Sequence, residues 1–242
     1  MFDELKETGF EILALHHSEA ILRHDMPEAI QEIETVLKSI SLPIVELVRG
    51  GGGEGQVTQR IRNAFSNDFS WFKHNFVIQK IVDGIETESI SHEIDHVKKF
   101  TKGTIALEIE WNNKDPFYDR DLENYKRLHA DGVISIGVII TRGSSLHQNM
   151  KSFIEAFAIK SNIDSIEKLA PYYSPTLRQK GLIEKNVISK GSFAKGWAHA
   201  FVSDKFGEAT THWRKLEDRV SRGVGNPCPL LLIGIPKEVV EV

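Results

Sequence analysis

TIALEIEWNNKDPFYDRDL, residues 104–122, decides the reading of this chain. Between Thr104 and Trp111 apolar and other residues alternate, with Ile105, Leu107, Ile109 and Trp111 on one face and Thr104, Ala106, Glu108 and Glu110 on the other. That period of two predicts a half-buried β-strand. Both glutamates then point the same way, their Cα atoms roughly 6–7 Å apart, close enough to serve one metal ion and its bound water. A Glu-x-Glu pair on a strand is by default the solvated face of an antiparallel sheet. The preceding stretch SISHEIDHV, residues 89–97, points beyond that default. Its own alternation puts Ser91, Glu93 and Asp95 together and His92 and His96 on the other face, so a second strand delivers a third acid. Three acids facing one another repel unless a cation or proton offsets them, and active sites are where such a cost is tolerated.

The 242 residues, 40% hydrophobic and 26% charged, describe an ordinary globular protein with one cysteine, Cys228. A single cysteine excludes an internal disulfide and a Cys-rich zinc site, and no stretch approaches the ~20 apolar residues needed to span a bilayer. The N-terminus MFDELKETGFEIL lacks the basic-then-apolar plan of a signal sequence, so a cytoplasmic protein is expected. The formal charge of −4 is unevenly spread: residues 142–222 hold 14 basic and 8 acidic side chains, +6, while the remainder sums to −10. A basic half opposite an acidic, metal-binding half suits a polyanionic ligand.

Working outward, a strand is expected over Phe10–Leu15, a short helix over Ser18–Arg23, and a longer helix from Pro27 carrying Ile30, Ile33, Leu37 and Ile40 at helical spacing. Leu42–Val48 reads as a strand, followed by the run Gly50–Gly55 and a basic helix over Gln56–Phe65. Further strands are expected over Phe76–Val82, Ser89–Val97, Thr104–Trp111 and Val133–Ile140. A helix over Asp119–Ala130 has Leu122, Tyr125 and Leu128 on its inner face and Gly132 just past its end. Strand, helix, strand in that order implies a parallel pair. Helices over Gln148–Lys160 and Glu208–Arg222 and a buried strand over Cys228–Ile235 complete one α/β domain, with its core at about residues 10–160 and 206–236 and an insertion at about 161–205.

Other constellations carry less. Gly50 to Thr58 approaches a phosphate-binding loop, but Gln56 stands where its lysine belongs. His16, His17 and His24 match no zinc spacing, and Cys228 within a buried strand is a poor nucleophile. Tyr172, Tyr173, Trp197 and Trp213 either stack on bases or pack in the core, with core packing favoured. Arg214, Lys215, Arg219 and Arg222 share a helix, where Lys215, Arg219 and Arg222 form one basic stripe; with Arg142 they are candidate DNA contacts.

An acid, a gap of a dozen residues, then Glu-x-Glu on an apolar strand resembles the PD-(D/E)xK nucleases, with Glu110 in place of the usual lysine. More narrowly, IDHVKKFTKGTIALEIEWNNKDPFYDRDL (94–122) and LHADGVISIGVIITRG (128–143) are similar to the BglII/BstYI group of type II restriction endonucleases, relatives of BamHI. The resemblance covers residues 90–145 and extends to IQEIETVLKSI (30–40) and LLLIGI (230–235); residues 161–206 find no counterpart in it. It implies a restriction-endonuclease-like core, a mixed central sheet flanked by helices. By position it makes Asp95 and Glu108 the ligands of Mg²⁺, with a backbone carbonyl near Ile109, Glu110 the residue that orients or deprotonates the attacking water, and Asn75 the counterpart of an active-site asparagine. The interval between Asp95 and Glu108 exceeds that of the group, so a hairpin around Lys98–Gly103 is expected to absorb extra residues; Lys114 comes too late for the motif lysine unless the strand bulges. The resemblance further implies a homodimer that cuts both strands of a short palindrome, GATC-centred as in the relatives, with no small-molecule cofactor and no membrane. A structure-directed repair nuclease on the same core and a non-catalytic DNA-binding module are the alternatives.

Overall fold

The computed structural model describes residues 1–49 and 55–241; the expectation placed on the run Gly50–Gly55 falls, except for Gly55 itself, outside the described residues. Its strands are β1 (Glu11–Leu15), β2 (Leu42–Pro43), β3 (Phe72–Val82), β4 (Ile85–Phe100), β5 (Gly103–Glu110), β6 (Ile136–Arg142), β7 (Leu230–Ile235) and β8 (Val240–Glu241). Six of them form one sheet in the order β1-β7-β6-β5-β4-β3, while β2 and β8 pair separately. Strands β5, β6 and β7 run parallel and the flanking pairs antiparallel, so the sheet is mixed as expected. Every residue of β6 and β7 is buried, which is why these strands read as continuous apolar runs rather than alternating ones.

The helices are α1 (Asp3–Glu7), α2 (Ser18–Asp25), α3 (Pro27–Lys38), α4 (Ile44–Val48), α5 (Gln56–Phe69), α6 (Phe117–Ala130), α7 (Ser144–Lys160), α8 (Leu177–Lys190), α9 (Phe193–Lys205) and α10 (Trp213–Ser221). The larger core joins Ile105, Leu107, Ile109 and Trp111 to side chains of α1–α5 and α7–α9. On the other face Ala106, Ile139, Leu230 and Leu232 pack under Tyr118, Leu122, Tyr125 and Leu128 of α6 and Trp213 and Leu216 of α10. Helix α6 can lie this close because residue 137 is glycine: a Cβ there would stand 2.3 Å from the Tyr125 ring. The Tyr125 hydroxyl donates to the Val138 carbonyl at 2.8 Å and fixes the helix over the sheet.

Two expectations about the elements are corrected. Leu42–Val48 is not one strand: Pro43, at φ −55° and without an N–H, ends a two-residue pairing and opens α4, whose buried Ile44, Leu47 and Val48 have helical spacing. The helix expected from Glu208 starts only at Trp213, because Thr210 and Thr211 are extended and pair with Lys114 and Asn113. The hairpin expected around Lys98–Gly103 is present: β4 extends to Phe100, which pairs with Gly103 across a turn of only Thr101 and Lys102. Residues 161–205 fold as the hairpin of α8 and α9, which packs through α9 on α7. Trp197 is buried there, its Nε1 donating to the Tyr173 hydroxyl at 2.9 Å, so these aromatics serve the core.

Candidate active site

Pairing of β4 with β5 runs from Phe100↔Gly103 to His96↔Leu107, so the next positions to meet are Asp95 and Glu108. Their carboxyls lie within hydrogen-bonding reach of each other, and Glu110 follows on the same face of β5. The alternation read through Ser91, Glu93 and Asp95 does not hold. Against β3, the pairs His74↔Ile94 and Phe72↔Val97 enclose one more residue on β4 than on its partner, a β-bulge. The inserted residue turns Asp95 toward Glu108 and leaves Glu93 behind, opposite Asn75. His96 stays on the far face as expected, its ring 5.7 Å from Phe65 and its pKa pushed by burial to about 4.

Glu108 and Glu110 are each only 3% exposed, and a fourth acid, Asp121 of α6, is fully buried beside them. Burial is the leading cause that lifts all three carboxyls; for Glu110 the value reaches about 8, with Asp121 adding to the rise and Asn113 and Arg120 opposing it. Asp121 and Glu110 lie within hydrogen-bonding reach, yet Asp121 Oδ2 has no donor among the described residues. Two carboxylates can bond only with a proton between them, so this oxygen faces a position where a proton or cation belongs. The other contacts of Glu110 are fixed: Asn113 Nδ2 donates to Oε2 at 2.7 Å, and Arg120 lies 3.7 Å from Oε1. Arg120 is itself bonded to Asp121 Oδ1 through Nε and a terminal nitrogen, both at 2.8 Å. The strand end is stapled as well, Thr141 Oγ1 donating to the Glu110 carbonyl at 2.7 Å.

The structure brings together Asp95, Glu108 and Glu110 and does not bring Asn75 to them: Asn75 pairs with Glu93 before the bulge and accepts from Ser91 Oγ at 2.6 Å. Strand β5 has no bulge, and Lys114 lies beyond its end, bridged to Thr210. Of the candidate DNA contacts, Arg142 is withdrawn from solvent; its guanidinium donates to the carbonyls of Trp111 and Thr211 and to Thr210 Oγ1, at 2.6–2.7 Å. Arg219 is also buried, between Asp115 and Asp119 at 3.3 and 3.0 Å. Lys215 is 3.5 Å from Asp115 and partly exposed, and Arg222 reaches only Asp218 on the surface. Sequence reasoning missed Asp121, Arg120 and Asn113. A signal existed for the first: Asp121 sits one turn before Tyr125 and three residues after Tyr118, an acid in the apolar stripe of α6.

A second group, His147, Glu208 and His212, has ligand atoms within 4.8 Å of one another. Two guanidinium groups border it, Arg142 at 3.4 Å from His147 Nδ1 and Arg214 on Glu208, so the carboxylate centre on β4, β5 and α6 is the better place for a cation. Cys228 is buried, its thiol pushed up to about 12, and takes no part in nucleophilic chemistry. No helix among the described residues is long and apolar enough to cross a membrane.

Paired acids at the seam of an antiparallel and a parallel strand pair, with a third on the same face, are what the resemblance to nucleases implied. Compared with curated proteins, the whole sequence finds no match. A family model does match, that of restriction endonuclease BglII/BglIII, over residues 10–235, including the α8–α9 hairpin. The chain therefore belongs to the BglII/BglIII restriction endonucleases and is a hydrolase that cleaves double-stranded DNA at specific sequences.

Proposed function

We propose that the protein is a Mg²⁺-dependent type II enzyme in which Asp95 and Glu108 hold the metal and Glu110 handles the attacking water. The observation that carries this reading is the contact of Asp95 with Glu108 across the β4–β5 seam, with Glu110 next on the same face. Restriction endonucleases generally use divalent ions. The residues fit one: Glu108, Glu110 and Asp121 are nearly dry with their protonated forms favoured, and Asp121 Oδ2 lacks a donor among the described residues, a state that a divalent cation relieves. Bound there, Mg²⁺ would polarise the scissile phosphate and lower the pKa of a water. Glu110 accepts a proton from that water when ionised, and Asn113 keeps its carboxylate from rotating away. Ionised glutamate only accepts hydrogen bonds, so it cannot supply the positive charge of the usual lysine.

A homodimer follows from cutting both strands of a palindrome, since two-fold symmetry in the site is met by two-fold symmetry in the protein. GATC-centred sites are the first to test. Plasmid DNA incubated with protein and Mg²⁺ is expected to give discrete fragments, none in EDTA and none with Glu108→Ala; sequencing the ends reads the site. A smear, or unchanged cutting by Glu108→Ala, would sink the reading. Cleavage confined to branched DNA would favour a repair nuclease instead.

A further inference from the structure

We propose that Arg120, locked by the buried Asp121, is the cation of this active site: it positions Glu110 and returns from a helix the positive charge that a glutamate at position 110 takes out of the strand. The inference rests on the reading of Glu110 as part of the reacting centre. Asp121 is 0% exposed, and its Oδ1 accepts from two nitrogens of Arg120, which fixes the plane of the guanidinium. Below that plane lies Phe117, its ring centroid 4.4 Å from Arg120 Cζ. With these two anchors the long side chain has little rotamer freedom left to lose when substrate arrives. One terminal nitrogen then stands 3.7 Å from Glu110 Oε1, while Asn113 holds Oε2, so each carboxylate oxygen has its own restraint.

The side chain of Arg120 remains 53% exposed, so an incoming anion can reach it. Lys73, whose charge also reaches Asp95 and Glu108, is paired with Glu93 at 2.7 Å, and Lys114 lies beyond the strand end, where its backbone bridges to Thr210. A buried acid is costly, and what Asp121 Oδ1 achieves in return is the fixed placement of Arg120.

The test is single-turnover cleavage of plasmid DNA in Mg²⁺, with DNA affinity measured in Ca²⁺ and folding followed by circular dichroism. Arg120→Ala is expected to cleave about 10²-fold more slowly while binding DNA within about threefold of the parent, and Arg120→Lys to recover part of the rate. Asp121→Ala should be similarly slow. Asp121→Asn, which keeps the oxygen that Arg120 uses, should stay within about tenfold, and Arg120→Ala/Asp121→Ala should be no slower than Arg120→Ala alone. Full-rate cleavage by Arg120→Ala, a binding loss that accounts for the whole rate loss, or additive effects in the double variant would overturn the proposal. Wild-type cutting by Glu110→Gln would instead overturn the catalytic reading of Glu110.

Discussion

The two faces of β5 are built from the same eight residues and have opposite energetics. Ile105, Leu107 and Ile109 lie in the larger core, where a fully buried side chain of this kind stabilises by about 1.5–3 kcal/mol. Across the pleat, Glu108 and Glu110 are as dry as their neighbours but carry carboxyls whose charged forms the interior disfavours. One face supplies stability and the other spends part of it on a poised set of acids. Substitutions on the two faces should therefore separate folding from cleavage.

The largest effect is expected from Glu108→Ala, which should lower the cleavage rate on the order of 10³-fold while leaving the melting temperature of the metal-free protein unchanged or higher. Leu107→Ala should do the reverse, costing about 2–5 kcal/mol in urea unfolding with near-normal cleavage per folded molecule. A loss of stability in Glu108→Ala equal to that in Leu107→Ala would erase the distinction between the faces.

The acidic face should also reveal itself through pH. Glu110 has its folded pKa raised from 4.5 to about 8, and Glu108 and Asp121 are raised with it. Between those values the folded state binds more protons than the unfolded chain, so stability falls as pH rises. Without metal, the melting temperature is expected to decline from about pH 4.5 to about pH 8 and then level off with respect to these groups. Glu110→Gln should flatten the decline and be the more stable protein at pH 8. Saturating Mg²⁺ should flatten it too; a metal-free profile rising over this range would show that the acids are not held as described.

Much of this contrast was legible in the sequence, because strict alternation from Thr104 to Trp111 assigns each side chain of β5 to its face. The parallel β5–α6–β6 unit was legible for the same reason, since periodicity changes from two to helical spacing and back. Asp95 was found, but through an alternation that the bulge breaks; a one-residue insertion leaves no compositional mark that separates it from a regular strand. Pro43 misled in the other direction, as Leu42–Val48 is short and apolar and fits either a strand or a helical turn. Arg142 looked like a phosphate contact because burial of a cation depends on carbonyls and hydroxyls at Trp111, Thr210 and Thr211, distant in sequence. Asp121 could have been read from its place in the stripe of α6, but what it holds could not.

How closely α6 must approach the sheet can be tested at Gly137. With Ala at this position, a methyl group 2.3 Å from Tyr125 forces the helix outward, at an expected cost of about 1–3 kcal/mol in thermal or urea unfolding. Because Arg120 and Asp121 ride on the same helix, cleavage should slow more than the loss of stability explains. Retained cleavage would mean that the site tolerates a shift of α6.

The smallest effects belong to the basic helix, where burial divides residues that look equivalent in sequence. Arg222 is exposed and tied only to Asp218, one turn away, whereas Arg219 is buried between Asp115 and Asp119 with its guanidinium 5.8 Å from the Tyr118 ring centroid. An exposed arginine that meets a phosphate releases a counterion, so Arg222→Ala should weaken DNA binding modestly and reduce the slope of log affinity against log salt by about 1. Arg219→Ala should leave that slope unchanged and lower the melting temperature, because it removes the partner of Asp119 and one of the two partners of Asp115 at the base of α6. Salt titrations of the two variants in Ca²⁺ decide the matter: equal changes in slope would mean that α10 meets DNA with both residues and that the Arg219 ion pairs open on binding.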